Sequence, residues 1–181
     1  NVDAAQASIE NLPFGGVGGG QNYGYSQGGA HPKINMIQKY SLTSDANATD
    51  QSNITVARNH TIGTQSSTYG YANIGTDPDM DVIDKFQFAS GGDSTDVGNA
   101  TVAGSYTACS SSSDYGYCAN GTRPHGNVID KNSFSSDGNS TDVGDPAVDT
   151  DHSAGSSSTT HGYEHGGGSV DHIQKYSFSS D

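Results

Sequence analysis

Apolar and polar residues alternate with a period of two in Tyr40-Ser41-Leu42, Phe86-Gln87-Phe88 and Tyr176-Ser177-Phe178, and Asn132-Ser133-Phe134 keeps the second apolar position. That period is the one of a β-strand, whose successive side chains face opposite sides. Each segment follows an Ile-polar-Lys step: Ile37-Gln38-Lys39, Ile83-Asp84-Lys85, Ile129-Asp130-Lys131 and Ile173-Gln174-Lys175. Upstream stands an aromatic-Gly-Tyr triplet, at Tyr23-Gly24-Tyr25, Tyr69-Gly70-Tyr71, Tyr115-Gly116-Tyr117 and His161-Gly162-Tyr163, each 46 residues after the last. A Gly-prone turn separates the two: Gly28-Gly29, Ile74-Gly75, Asn120-Gly121 and Gly166-Gly167. Polar turns follow at 45–50, 91–96 and 137–142, and a further strand is expected around Ile54 to Val56 or Val97 to Val102. A final strand leads into the next triplet. No window of about ten residues has helical periodicity. The pattern predicts an all-β chain with about four short strands per unit.

The repeat divides the chain into units at 23–68, 69–114 and 115–160. Residues 1–22 read as the second half of a repeat and 161–181 as the first half, with one loop shortened by two residues. The halves complete a fourth unit, so the last strands are expected to pair with the first ones, within one chain or between chains. The chain starts at Asn1 with neither Met nor a signal segment, which predicts a mature or trimmed product.

Leu, Ile, Val and Phe supply 26 of the 181 residues, and the formal charge is −13. Composition alone would predict disorder. A strict beat with Gly and Tyr at fixed positions argues otherwise, and stability is expected from thin layers, Tyr and Phe rings and backbone hydrogen bonds. Seven Lys and Arg against twenty Asp and Glu exclude a phosphate backbone or an anionic membrane surface as the natural partner. No apolar run approaches the roughly eighteen residues of a spanning helix. An acidic, Ser/Thr/Gly-rich surface fits an extracellular or virion setting.

The order Gly-Tyr, Gly-Gly turn, Ile-Asp-Lys-aromatic and Val56-Ala57-Arg58 resembles a kelch-type β-propeller blade. Units such as "SSTTHGYEHGGG" and "VIDKNSFSSDGNSTDVGD" resemble tandem repeats in virion-associated proteins of aquatic phages. The resemblance implies a kelch-like propeller of four repeats of about 46 residues and four strands, three whole and one split between the termini. The chain departs from it in having no Trp and in replacing the Ala-Arg step by Ala103-Gly104 and Asp149-Thr150.

Cys109 and Cys118 flank a reversal at Ser113-Asp114 and would face each other across an antiparallel hairpin, within disulfide reach. A bridge predicts an oxidising location; the alternative is two free thiols in a reducing one. Asp137, Asn139, Asp142 and Asp145 have spacings that suit a calcium loop, but Asx-turns account for the same residues without a metal. Asn47, Asn53, Asn59, Asn99, Asn120 and Asn139 head glycosylation sequons on positions expected to be exposed, silent if the source does not glycosylate. His161 and His165 lie too far apart along a strand to hold one ion. Tyr25, Tyr71, Tyr117 and Tyr163 either pack between sheets or form a sugar-binding row. No nucleophile-and-base arrangement is present, and no cofactor is called for; an enzyme would need Asp84, Asp130 and Asp142 to converge. The expected function is a non-enzymatic structural protein of a virion or extracellular surface, self-associating head to tail or with other structural proteins. The alternative is a lectin-like glycan-binding module.

Overall fold

A computed structural model describes residues 22–29, 32–76, 80–122, 127–168 and 170–179. Among the described residues the structure is all-β, with no helix and four antiparallel sheets in which sequence neighbours pair. The first sheet joins β1 (Tyr23–Gln27), β2 (Met36–Ser41) and β3 (Thr49–Asn53). The second joins β4 (Ile62–Gln65), β5 (Tyr69–Gly75), β6 (Met80–Gln87) and β7 (Thr95–Gly104). The third joins β8 (Ala108–Ser111), β9 (Tyr115–Ala119), β10 (Ile129–Ser133) and β11 (Thr141–Asp142). The fourth joins β12 (Ala154–Ser157), β13 (His161–His165) and β14 (Ile173–Ser177).

The triplet strands β1, β5, β9 and β13 pair with the Ile-polar-Lys strands in one register throughout: Tyr25 opposite Lys39, Tyr71 opposite Lys85, Tyr117 opposite Lys131 and Tyr163 opposite Lys175. The strand before the triplet folds back on it through a tight turn. Gln65 lies opposite Gly70, Ser111 opposite Gly116 and Ser157 opposite Gly162. A serine closes each turn, its hydroxyl accepting from the amides of Tyr69, Tyr115 and His161 at 2.9–3.0 Å. The sheets are thus offset by one strand from the triplet-to-triplet units at 23–68, 69–114 and 115–160. Residues 1–21, the greater part of the expected N-terminal half-repeat, lie outside the described residues.

The strand expected around Ile54 to Val56 ends earlier, at Asn53. The Thr55 amide and hydroxyl donate instead to the Asp84 carboxylate of the next sheet, at 3.3 and 2.7 Å, which takes Thr55 out of the ladder. The turn after each triplet carries a left-handed residue in all four copies: Gly28, Ile74, Asn120 and Gly166, with φ between 44° and 66°. Ile74 is the costly member, because a β-branched residue clashes there.

Successive sheets stack through small apolar clusters. Ile37 and Ile54 meet Ala72, Phe86 and Phe88, with Tyr25 packed against them. Tyr117, Ala119 and Ile129 form a second cluster, joined by Val143, Tyr176 and Phe178. The chain's few aliphatic residues suffice because each layer is one sheet thick. Elsewhere backbones touch directly. A Cβ on Gly98 would lie 2.1 Å from the Gly138 carbonyl oxygen, and one on Gly155 would lie 2.0 Å from that of Cys109.

Candidate functional site

In the first three triplets the second Tyr stacks on an aromatic ring of the following sheet. Tyr25 lies over Phe88 with ring centroids 4.9 Å apart, Tyr71 over Phe134 at 4.9 Å, and Tyr117 over Phe178 at 4.7 Å. Interplanar angles of 27°, 22° and 18° make these offset stacks, worth about 0.5–1.5 kcal/mol each beyond their burial. Tyr71 and Tyr117 are fully buried, so at these positions the packing reading of the tyrosines holds over the sugar row. Tyr163, in the last described sheet, is half-buried.

The glycine within the triplet is not bare. A Cβ there would collide with the cross-strand ring, at 2.3 Å for Gly24 against Tyr40, 2.3 Å for Gly70 against Phe86 and 2.4 Å for Gly162 against Tyr176. The ring lies flat over the glycine and replaces the missing side chain. On the first Tyr of the triplet sits a lysine: Lys39 Nζ is 4.0 Å from the Tyr23 centroid, Lys85 4.6 Å from Tyr69 and Lys131 4.1 Å from Tyr115. These cation–π contacts explain why the Lys recurs with the Tyr.

The strands β4, β8 and β12 and the edge of β1 line one cavity of about 580 Å³. Its walls carry hydroxyls, amides and phenol rings from Tyr23, Tyr25, Gln27, Gln65, Ser111 and Ser157, and no charged side chain among the described residues. Neighbouring strands here are tied by serines: the Gln65 amide donates to Ser111 Oγ at 3.1 Å and the Ser111 amide to Ser157 Oγ at 2.8 Å.

Three polar clusters are buried between successive sheets, the first two built on the equivalent residues Asp84 and Asp130 and the third on Glu164, which faces Gln174 at their position. Arg58, fully buried, donates to Asp84 Oδ2 at 2.7 Å and to the carbonyls of Ile74 and Ala72 at 2.9 and 3.0 Å. One repeat later Asp130 accepts from the Thr101 hydroxyl and amide, as Asp84 does from Thr55. In the last sheet Glu164 is 1% exposed and accepts from Thr150 Oγ1 at 2.6 Å, Asn120 Nδ2 at 2.7 Å and Ser153 Oγ at 2.7 Å. A further periodic feature is a column of rings. His60 and Tyr106 centroids are 4.0 Å apart and Tyr106 and His152 3.9 Å, all three with φ between 52° and 57°.

The predicted bridge is present: Cys109 and Cys118 are directly opposed, with Cα atoms 4.3 Å apart, and form a disulfide. The calcium-loop residues are each engaged separately. Asp137 pairs with Lys85 at 2.7 Å, Asn139 Oδ1 accepts from the Asn99 amide at 3.0 Å, Asp142 from the Gly144 amide at 3.1 Å, and Asp145 from Asn127 Nδ2 at 3.2 Å. They serve turns and staples between repeats, and among the described residues no group of three His, Cys, Asp or Glu side chains is placed to hold a metal. Asp84 and Asp130 are buried in successive sheets, and exposed Asp142 lies opposite Asp130 across the β10–β11 pairing, so the three do not converge on one site. His161 bonds Thr160 and His165 bonds Ser156, each locally.

Of the sequons, Asn47 and Asn139 are exposed and Asn53, Asn59 and Asn99 half-buried. Asn120 corrects the expectation of exposure: it is fully buried, and the Nδ2 that a glycan would need is bonded to Glu164. Sequence reasoning also missed the pairing of Arg58 with Asp84 and the ring column. The column's signal was available, since His60, Tyr106 and His152 keep the repeat spacing. No family model matches the sequence, and no curated protein matches it.

Proposed function

We propose that this protein is a non-enzymatic structural protein, a kelch-like propeller-type repeat unit of an extracellular or virion surface that assembles head to tail. The observation that carries this reading is the contrast between two equivalent residues. Phe88 is 4% exposed beneath Tyr25, whereas Leu42, which holds the same position in the first sheet, is 60% exposed. The first sheet thus presents to solvent a position that is buried in the second sheet and half-buried, at Phe134 and Phe178, in the third and fourth. Inner strands of successive sheets around one cavity support the propeller-type arrangement, and the Cys109–Cys118 disulfide supports an oxidising location. The mechanism is mechanical: thin sheets transmit load through ring stacks and backbone contacts, and the acidic exterior keeps assemblies apart. Electron micrographs of the purified protein are expected to contain regular filaments or closed multi-chain assemblies; fields of single compact particles at every concentration would remove the reading.

A second reading has one observation in its favour. The uncharged cavity with hydroxyl, amide and phenol walls has the chemistry of a neutral sugar site. A glycan array tests it, with binding that is lost in Gln65→Leu as the supporting result and an array without signal as the opposing one.

A further inference from the structure

We propose that the face of the first sheet bearing Leu42 docks the last sheet of a second copy of this chain, with the second copy's Tyr163 stacked on Leu42 and its Lys175 paired with Asp45. This inference rests on the assembly reading above and specifies its interface.

The internal repeats supply the template. Leu42 is placed as Phe88, Phe134 and Phe178 are, its amide donating to the residue before the triplet: Leu42 to Asn22 at 2.8 Å, Phe88 to Thr68 at 3.2 Å, Phe134 to Asp114 at 2.9 Å and Phe178 to Thr160 at 3.0 Å. Each of the three phenylalanines receives the second Tyr of the preceding sheet's triplet. Among the described residues no sheet precedes that of Leu42 to supply such a tyrosine, and none follows that of Tyr163 to receive it. Because Leu42 is 60% exposed, the chain's own Tyr163 does not cover it.

Charge follows the same frame. Lys85 reaches into the next repeat to Asp137 at 2.7 Å. Lys175 holds the Lys85 position in the last sheet, and Asp45 holds the Asp137 position in the first. Both are exposed. Docking the last sheet of one copy on the first sheet of another brings the pair together as Lys85 and Asp137 are brought together within the chain. The two most exposed large apolar residues described, Leu42 and Ile173, lie on the first and last sheets, with Tyr23 and Tyr40 beside the one and Val170 beside the other, while Val56, Tyr115 and Val148 between them are less exposed than either. Ile173, at 69%, is the most exposed of the large apolar residues described. Apolar exposure at the two ends of a stack is the signature of an interface rather than of a solvated rim.

The test uses the full chain. Leu42→Cys protein is mixed with Tyr163→Cys protein and treated with a short bis-maleimide; the native Cys109–Cys118 pair is oxidised and does not react. A cross-linked species of twice the 18.6 kDa chain mass, formed in the mixture and absent from either variant alone, is expected. A Leu42→Cys chain that cross-links to itself, or a double variant that cross-links only within one chain, would overturn the proposal. Charge reversal gives an independent readout on two exposed residues. Asp45→Lys is expected to weaken self-association at least ten-fold, and Lys175→Asp in the same chain to restore it; loss without restoration counts against the pairing. Assemblies that persist without the Leu42–Tyr163 cross-link would reject this interface and leave the assembly reading standing. Single chains at every concentration would reject both.

Discussion

Gly155 has no room for a side chain: a Cβ there would lie 2.0 Å from the Cys109 carbonyl oxygen and 2.7 Å from its amide nitrogen. The contact is backbone against backbone, so no rotamer can relieve it. Gly155→Ala is expected to destabilise the protein by roughly 3 kcal/mol by forcing β12 off β8. Gly92→Ala, at a glycine with nothing within 4 Å, is expected to be close to neutral in the same thermal melts. Equal effects of the two would show that close strand approach is not what these glycines serve. The phenols respond to pH for a related reason. Burial pushes Tyr71 up to about 12, with the Asp137 carboxylate adding to it, and burial likewise pushes Tyr176 up to about 12 against the opposing hydrogen bond from Ser110. A raised phenol is neutral in the folded chain where the unfolded chain is already charged. The stability it contributes is therefore complete below pH 10 and is lost as pH rises from 10 to about 12. Phenolate absorbance is expected to show Tyr71 and Tyr176 ionising only towards pH 12, together with loss of the β signal.

Between the first two sheets, the Arg58–Asp84 pair carries the largest electrostatic commitment, since both side chains are fully buried. Arg58→Met leaves the Asp84 carboxylate without its cation and is expected to cost about 3–5 kcal/mol, on the order of 10 °C in melting temperature. Adding Asp84→Leu should recover most of that loss, because an apolar pair of similar volume removes the desolvation problem. A double variant no more stable than Arg58→Met would mean that the carboxylate's bonds to Thr55 matter more than its charge. Both residues stand out in the sequence, Arg58 in Val-Ala-Arg and Asp84 in Ile-Asp-Lys, yet their partnership was hidden. They belong to different sheets, and the positions of Arg58 in the later repeats are Gly104 and Thr150. The repeat signals what is common to all units: strands, triplets, turns and the hairpin that opposes Cys109 to Cys118. It is silent on what each junction does differently, such as the neutral donors Asn120, Thr150 and Ser153 that hold Glu164. The early end of β3 was hidden for the same reason, because Thr55 is drawn away by a carboxylate 29 residues downstream.

Across the whole molecule, one contact is used repeatedly: a tyrosine from one sheet on a phenylalanine from the next. Three such stacks are made inside the chain. Exposed Leu42 at one end and Tyr163 at the other offer the two halves of a fourth. The 46-residue spacing made the recurrence of the tyrosines legible from sequence, but not their phenylalanine partners, which come from the next sheet. Which faces stay open at the ends was not legible either, because exposure depends on where the sheets come to lie. The central claim is that these ends complete each other between chains. Light scattering over a concentration series tests it most directly. The account predicts a mass that rises with concentration through multiples of 18.6 kDa. A mass fixed at 18.6 kDa across the whole series would contradict it.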